Sequence, residues 1–442
     1  MSVAVGDKFL TFLLHYTERS GGNVRVDGTS MNPGFFTPTD VTRNDVLQKI
    51  VDRRVLKESR FRNLRIALVD LTGPDKLASP QFAGHREREQ GGVGSMAKLA
   101  CMYAAYQLQF DLQALAGRLS ITDQKRLFDG IRAAWSFLQL PSTRPPTVIF
   151  GSNPRIEVKG NLVRINGSPV PIPRPYSSPD LEEMFTFTGG AVRFIGSDKT
   201  KVDMSVPGSV PDFSQEIRDY HDAFGVHGNL ASARKLTFAE RLFLMIDDSD
   251  NPASHTCIEN VSFLYIISSI WQADFYRPER GGGLWEGNNQ DPVNPFRWRK
   301  PPVPHDNPNS DFVSGTTASV ASLFTLMAQD RLVSKNASAS MRQLTSRMKP
   351  SLRNGSFNIS FFKEGLEAVS GMRPRAVHAK IGIGAAKDDS ALIIRDVGNK
   401  QIRYVAVACD EQDKSEANLH DLIVKLDKSI QENNGLFPPS VD

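Results

Sequence analysis

Ser95 and Lys98 are the first two residues of this chain whose types and spacing could do chemistry together. On a helix, three residues advance by about 300° and about 4.5 Å, so the two side chains would share one face. A serine hydroxyl is a weak nucleophile until a base removes its proton, and a lysine can be that base when burial or a neighbouring cation lowers its pKa. Taken alone, the pair is more often an N-capping serine followed by a surface lysine.

Two further clusters carry chemically useful groups. Ser249-Asp250-Asn251 places a hydroxyl and an amide at the end of an apolar helix, where they could relay a proton and hold a substrate amide. Lys380-Ile381-Gly382 places a cation on a strand beside a glycine, which allows another backbone to approach closely. Each cluster also has a purely structural interpretation. The first could be a polar turn before Pro252, and the second a lysine at the end of a strand.

The three clusters together, in this order, resemble the S-x-x-K, S-D-N and K-T-G motifs of the penicillin-recognising serine enzymes, and of the class A β-lactamases in particular. Residues 67–73 resemble that family's first strand and turn, residues 244–251 the helix that leads into S-D-N, and residues 315–334 the helix after its Ω-loop. The resemblance covers residues 62–140 and 232–435.

The resemblance implies a role for each matching residue. Ser95 would be acylated, with Lys98 helping to deprotonate it. Ser249 would pass a proton to the leaving group, and Asn251 would bind the substrate amide. Asp250 would be mainly structural.

The strand that carries the third motif would complete the site. The resemblance implies that Lys380 keeps the site positive and lowers the pKa of Lys98. Ile381, Gly382 and Ile383 would contact the substrate, and the backbone N–H groups of Ser95 and Ile383 would form an oxyanion hole.

The chain departs from the family pattern at two places. Ile381 stands where K-T-G has a hydroxyl that helps to hold a substrate carboxylate. Trp285-Glu286 lies near the position of the family's Ω-loop glutamate, so Glu286 is the candidate base for deacylation, although a surface glutamate is an equal alternative. Asn288 and Asn289 could assist it in placing a water.

Hydrophobic periodicity and turn residues predict the elements that would position these groups. We expect strands at 64–72, 376–383, 390–396 and 401–408. We expect helices at 6–18, 44–57, 95–117, 121–139, 256–274, 317–331, 337–348 and 415–433, and one that starts at the capping box Thr237–Glu240. A long loop is expected at 278–314.

The predicted fold class is α/β (α+β), with an antiparallel sheet flanked by helices and an all-helical lobe, as in the β-lactamase and transpeptidase-like enzymes. Residues 1–60 would be an N-terminal extension, and 61–140 with 213–442 the catalytic domain. Residues 141–212 would be a β-rich insertion, with strands at 147–150, 156–158, 162–165 and 191–195 and a hairpin signal at Asn166-Gly167.

The composition excludes several classes of function. The net charge of +4 without a dense Lys/Arg run does not favour nucleic acid. The three cysteines show neither disulfide nor metal-ligand spacing, and no cofactor is indicated. The N-terminus has no signal-peptide pattern and no segment is long and apolar enough to span a membrane, so a cytoplasmic location is expected, or a periplasmic or secreted one if a leader has been removed.

Three functions remain open from the sequence. One is a β-lactamase-like serine hydrolase that forms an acyl-enzyme at Ser95 with an amide, lactam or ester. Another is a peptidase, esterase or acyltransferase on the same scaffold with a different substrate, favoured by Ile381. The third is a non-catalytic binding protein. The partner would be a small-molecule or peptide-like substrate, and the oligomeric state stays open.

Overall fold

The structure is a computed structural model of the 442-residue chain. It describes residues 43–138, 156–159, 162–165, 168–170, 178–196, 201–202, 230–277, 281–290, 297, 300–301, 303, 312–346, 360–383, 387–410 and 415–436.

The strands and helices are numbered in chain order. The strands are β1 Arg65–Asp70, β2 Gln81–His85, β3 Gly91–Gly92, β4 Ile156–Lys159, β5 Leu162–Ile165, β6 Ser168–Val170, β7 Phe185–Thr188, β8 Ala191–Ile195, β9 Lys201–Val202, β10 Tyr276–Arg277, β11 Gly282–Gly283, β12 Trp285–Glu286, β13 Val313–Gly315, β14 Ala376–Ile383, β15 Lys387–Val397 and β16 Lys400–Cys409. The helices are α1 Asp45–Val51, α2 Gly73–Ala78, α3 Lys98–Arg118, α4 Gln124–Leu138, α5 Leu181–Met184, α6 Leu230–Ala233, α7 Phe238–Phe243, α8 Asn251–Val261, α9 Phe263–Gln272, α10 Thr317–Ala328, α11 Lys335–Leu344, α12 Phe361–Glu367 and α13 Glu416–Asn433.

The central sheet has five antiparallel strands in the order β14-β15-β16-β1-β2. Successive side chains of a strand point to opposite faces, so this sheet contributes to two cores. One face carries Ala67 and Val407 into the core shared with α3 and α10. The other carries Ile66 and Ala406 into the core shared with α1, α12 and α13. The predicted fold class, an antiparallel sheet flanked by helices with a helical lobe beside it, is confirmed.

The helical lobe is built around α3, whose apolar residues pack with those of α7, α8 and α9 in one buried cluster. The capping box at the start of α7 is present, since Glu240 accepts a hydrogen bond from the Thr237 backbone N–H and side chain. The single helix predicted at 256–274 is wrong. The chain breaks at Ser262, which adopts φ +71° and caps the next helix by accepting from Tyr265 N at 3.3 Å.

The segment predicted as a loop at 278–314 is also partly strand. β12 pairs with β13, and β13 pairs with β3, which lies just before Ser95. These strands are only two or three residues long, too short for a periodic signal in the sequence. Through this strand pairing, the segment that carries Glu286 is connected to the segment that precedes Ser95.

The predicted insertion at 141–212 contains strands where it is described. β5 and β6 pair with Ile165 opposite Ser168, as the hairpin signal predicts. Strand β7 and the short helix α5 were not predicted. The rings of Phe185 and Phe194, on β7 and β8, stack at 5.0 Å between centroids and belong to the same core as α3. The predicted strand at 147–150 and helix at 6–18 lie outside the described residues.

The N-terminal end of the described chain packs on the central sheet. Leu47, Val51 and Val55 are fully buried in the core that also holds α13. The helix predicted at 44–57 is present as α1 followed by a π-helical turn, Asp52–Leu56. The described part of the predicted N-terminal extension thus shares a hydrophobic core with the sheet.

Candidate active site

Ser95 lies in a short 3-10 helix, Gly94–Ala97, that leads into α3. The helix predicted from Ser95 therefore begins with a tighter turn than an α-helix. Gly94 adopts φ +48°, a conformation that glycine allows without strain. Ser95 is partly exposed, whereas Lys98 is fully buried. Ser95 is therefore accessible from solvent, whereas Lys98 is not.

Two glycines allow β14 to lie directly against the Ser95 turn. A Cβ at Gly94 would lie 3.1 Å from Ile383 N, and a Cβ at Gly382 would lie 2.4 Å from Val93 O. The second distance is far below van der Waals contact, so only glycine fits there. The glycine of the third motif therefore brings β14 beside the proposed nucleophile.

The three motifs meet at Ser249. Lys380 Nζ donates a hydrogen bond to Ser249 Oγ at 2.6 Å. Lys98 Nζ donates to Ser249 O at 2.7 Å and to Asn251 Oδ1 at 2.7 Å, and it lies 3.4 Å from Ser249 Oγ. Both lysines are fully buried. The structure thus brings together Lys98, Ser249, Asn251 and Lys380, from three distant parts of the sequence.

The backbone around Ser249 explains how its side chain reaches both lysines. Helix α7 continues as a π-helical segment, Leu244–Asp248, and Ser249 then adopts a left-handed conformation with φ +58°. Asp250 begins α8 as its N-cap, accepting from Ala253 N at 2.7 Å. Asp250 is fully buried, and this contact fixes the start of α8 directly after Ser249.

β14 is an edge strand of the central sheet, so one row of its backbone groups faces away from β15. Ala379 N donates to Thr345 O at 2.7 Å on that outer side. Because N–H groups of alternate residues point to the same side of a strand, the N–H of Ile383 also points outward. This direction, beside Gly94, suits the predicted oxyanion hole.

The side chains of Ile381 and Ile383 differ in their surroundings. Ile381 is buried in the core shared with α12 and α13, so its side chain does not reach the Ser95 side of the strand. Any contact of Ile381 with a substrate would therefore be through its backbone. Ile383 is 43% exposed.

Glu286 is fully buried on β12, rather than on the surface. Burial raises the pKa of its carboxyl to about 8, against the opposing effects of hydrogen bonds from Gln290 and Asn288 N and of the charge of Lys98. A buried carboxyl with a pKa in this range is suited to proton transfer near neutral pH.

Residues that follow Glu286 make hydrogen bonds near the carboxylate, and the sequence indicated only some of these residues. Gln290 Nε2, which was not predicted, donates to Glu286 Oε2 at 3.0 Å. Asn289 is buried and contacts His255 instead, with Nδ2 3.1 Å from Nδ1 of the imidazole. His255 is on α8, one turn after Asn251. No spacing rule in the sequence indicated this contact between the loop and α8.

His378 Nδ1 lies 2.7 Å from Arg342 O, and burial lowers the pKa of this imidazole to about 4. The three cysteines are buried and free. Within the part of the chain that the structure describes, no group of three or more His, Cys, Asp or Glu side chains could hold a metal, and no helix is long and apolar enough to cross a membrane.

The sequence matches no protein-family model and no curated protein. Several solved structures are similar in fold. A representative class A β-lactamase from Bacteroides cellulosilyticus is 10% identical, with a TM-score of 0.43, and the match covers 89% of this chain and 100% of that one. A β-lactamase from Desulfarculus baarsii is 14% identical, with a TM-score of 0.42 and coverages of 88% and 98%. The protein PBP-A is 13% identical, with a TM-score of 0.43 and coverages of 89% and 98%.

These structures come from the class of proteins that the motifs resemble. At such identities and TM-scores the similarity transfers no residue role and no activity to this chain. The fold class rests on the sheet topology and helices described above, and the candidate site rests on the contacts among its own residues.

Proposed function

We propose that this protein is a serine hydrolase that forms an acyl-enzyme at Ser95 with an amide, lactam or ester. The observation that carries the proposal is the hydrogen-bonded cluster of Lys98, Ser249 and Lys380 beside a partly exposed serine. Two fully buried lysines are costly to desolvate, and such groups occur mainly where a function requires them.

In the first step, neutral Lys98 accepts the proton of the Ser95 hydroxyl as its Oγ attacks the substrate carbonyl. The N–H groups of Ser95 and Ile383 stabilise the oxyanion of the tetrahedral intermediate. Ser249 then gives its hydroxyl proton to the leaving nitrogen or oxygen and receives one from the Lys98 ammonium, 3.4 Å away. The scissile bond breaks and the acyl group stays on Ser95.

In the second step, ionised Glu286 accepts a proton from water, which attacks the acyl carbonyl. The Ser95 oxygen leaves and recovers the proton, which frees the acid and regenerates the enzyme. Lys380, which donates to Ser249 Oγ at 2.6 Å, orients that hydroxyl so that its own proton points away, towards the leaving group.

A second candidate is a peptidase, esterase or acyltransferase that does not turn over β-lactams. The buried Ile381 favours it, because this side chain offers no hydroxyl to hold a substrate carboxylate. A non-catalytic binding protein is the remaining alternative, and the buried lysine cluster is the feature that argues against it.

Hydrolysis assays separate these candidates. We expect the wild-type protein to hydrolyse activated esters or nitrocefin, and Ser95→Ala to abolish that activity while leaving the thermal unfolding temperature unchanged. Nitrocefin turnover would support the β-lactamase-like candidate, and ester hydrolysis alone the second one. Equal rates for wild type and Ser95→Ala would exclude both.

A further inference from the structure

Gln90 is a partly buried glutamine just before β3, and its carboxamide forms hydrogen bonds with two later strands of the chain. Its Nε2 donates to Gly283 O at 2.9 Å and to Ser314 Oγ at 2.7 Å. Its Oε1 accepts from Gly283 N at 2.7 Å. Both N–H groups of the amide and its oxygen are therefore used, and Gly283 is held through its N–H and its C=O together.

The backbone groups of Gly283 are available to Gln90 because they lie on the side of β11 that faces away from β10. Leu284 N donates to Phe275 O at 2.8 Å, towards the chain that enters β10. In an antiparallel pair the backbone groups of successive residues point to opposite sides, so those of Gly283 point away from β10. Gln90 thus pairs with the outer edge of β11 as a neighbouring strand would.

Two glycines of β11 allow this close approach. A Cβ on Gly282 would lie 2.2 Å from Gln90 Oε1, and a Cβ on Gly283 would lie 2.0 Å from Phe275 O. Both distances are far below van der Waals contact, and both glycines have a positive φ. A side chain at the first position would displace the amide, and one at the second would displace the strand.

The main chain on both sides of Gln90 is anchored by Arg65. This buried guanidinium donates to Glu89 O at 3.2 Å, to Gly92 O at 2.6 Å and to Gly315 O at 2.8 Å. The first two carbonyls flank Gln90, and the third belongs to β13. The amide therefore extends from a fixed backbone, and its position determines that of β11.

Glu286, the candidate base for deacylation, follows Gly283 by three residues. Its strand, β12, is two residues long, and a pairing this short constrains the strand weakly. Gln290 Nε2 and Asn288 N donate to its carboxylate from the segment that follows it. Gln90 holds the segment that precedes it. A general base must lie within hydrogen-bond reach of the water it activates, so the path of the chain into β12 matters for the reaction.

We propose that Gln90 is a positioning residue for Glu286, which it holds in place through its contacts with β11 and β13. The proposal rests on the acyl transfer and hydrolysis proposed above, and it adds a residue to the second step. Gln90 lies on the segment that leads to Ser95, so its amide connects the part of the chain that carries the nucleophile to the part that carries the base.

The test compares Gln90→Met with Gln113→Met. Methionine keeps the length of glutamine and removes its hydrogen bonds. Gln113 provides the matched control, because its Nε2 donates to Gly190 O at 2.8 Å and its Oε1 accepts from Val192 N at 2.8 Å. Both variants therefore lose the same pairing of an amide with backbone, in one case beside β11 and in the other beside β8.

Acylation is measured as the burst of p-nitrophenol from p-nitrophenyl acetate, and deacylation as the decay of the Ser95 adduct by intact-protein mass spectrometry. In Gln90→Met we expect deacylation to slow by about 10–100-fold, because the carboxylate leaves its aligned position. Acylation should change much less, because Arg65 still holds the main chain before Ser95. Gln113→Met should keep both rates.

The pH profile of deacylation is a readout that a loss of stability alone would not change. The carboxyl of Glu286 has a pKa raised to about 8, with burial as the largest cause. When β12 loosens, water reaches this carboxyl, so in Gln90→Met the midpoint of the profile should fall by about one pH unit or more. In Gln113→Met the midpoint should not move.

Ser314→Ala provides a milder variant that tests the same contact if Gln90→Met does not fold. It removes one hydrogen bond of the amide, so deacylation should slow by about twofold to tenfold with little change in acylation. Deacylation at the wild-type rate in this variant would count against the proposal.

The proposal would be overturned if Gln90→Met deacylated at the rate of Gln113→Met, slowed both steps equally or kept the wild-type midpoint. Failure of the proposed function gives a different result. No Ser95 adduct in the wild type removes the acyl transfer, and fast deacylation in Glu286→Gln removes the base, and either result also removes the role of Gln90. If both of these features hold and Gln90→Met behaves as the control, only the role of Gln90 is removed.

Discussion

Ser249 is the residue at which the two buried lysines meet, and its backbone is strained to put it there. A non-glycine residue at φ +58° is uncommon and costs on the order of 1–3 kcal/mol, so the surrounding structure must hold it. The π-helical segment before it and the Asp250 N-cap after it do so. The Ser-Asp-Asn motif could be identified in the sequence, but this conformation could not, because nothing in the local residue types requires a positive φ at a serine.

Glu286 should govern the pH dependence of deacylation. Its pKa is raised to about 8, mainly by burial, so below that pH the carboxyl is mostly protonated and cannot accept a proton from water. We expect the deacylation rate to rise about tenfold per pH unit below about pH 8 and to level off above it. Single-turnover decay of the acyl-enzyme, followed by mass spectrometry from pH 6 to 9.5, measures this profile.

The matched variants are Glu286→Gln and Glu367→Gln, the latter on α12. Glu286→Gln keeps the size of the side chain and removes the base, so deacylation should slow by about 10²–10⁴ while acylation persists. Glu367→Gln should behave as the wild type. A wild-type profile that is flat between pH 6 and 8, or fast deacylation in Glu286→Gln, would show that another group activates the water.

At the scale of elements, β14 and the Ser95 turn pack so closely that only glycine fits at position 382. Gly382→Ala would place a Cβ 2.4 Å from Val93 O, which must push the strand away from the turn. We expect the free energy of unfolding to fall by about 1–3 kcal/mol and the acylation rate to fall with it, because Ile383 N–H moves from the oxyanion site. Urea denaturation and the ester acylation rate measure the two effects.

Gly117→Ala is the control for that variant. This glycine lies near the end of α3 with nothing within 4 Å of its would-be Cβ, so alanine should be neutral or slightly stabilising there. If Gly382→Ala retains wild-type acylation, β14 does not supply the oxyanion hole in the way described.

The contact of His255 with Asn289 joins α8, which begins at Asn251, to the loop that carries Glu286. Since Asn289 Nδ2 donates, His255 Nδ1 must accept, and His255→Leu would leave the buried amide without this partner. A buried polar group that loses its partner costs about 1–3 kcal/mol, so the loop should shift and deacylation should slow by about tenfold or more. Acylation should change less, because Ser95 and Lys98 do not lie on this loop.

The ratio of burst rate to steady-state rate separates the two steps. His255→Gln offers an acceptor again and should restore much of the deacylation rate, which a general loss of stability would not allow. Equal slowing of both steps in His255→Leu would mean that the contact only stabilises the fold.

At the scale of the whole molecule, helices and strands with a regular hydrophobic period could be predicted from the sequence. Short strands and side-chain contacts between distant parts of the chain could not. The long amphipathic α13 and the alternating β14, β15 and β16 lie close to their predicted ends, because burial of one face sets a clear period. Lys98 and Lys380 could be proposed from their motifs. The short strands β3, β12 and β13 and the amide of Gln290 could not, because two-residue strands and loop contacts leave no periodic signal.

The predicted domain limits remain a prediction, but the cores suggest how the parts are joined. Phe185 and Phe194, within the proposed insertion, share a core with α3. Leu47 and Val51, within the proposed extension, share a core with α13. Both stretches therefore support the two layers that hold the candidate site between them.

The central claim is that Ser95 becomes covalently acylated, and intact-protein mass spectrometry tests it most directly. The full chain is exposed to a panel of penicillins and activated esters, quenched in acid, and mapped by peptide digestion beside Ser95→Ala and Lys98→Met. We expect a mass increase equal to the acyl group, located on the peptide that contains Ser95, slow or absent in Lys98→Met and absent in Ser95→Ala. No adduct with any probe, or the same adduct in Ser95→Ala, would contradict the account.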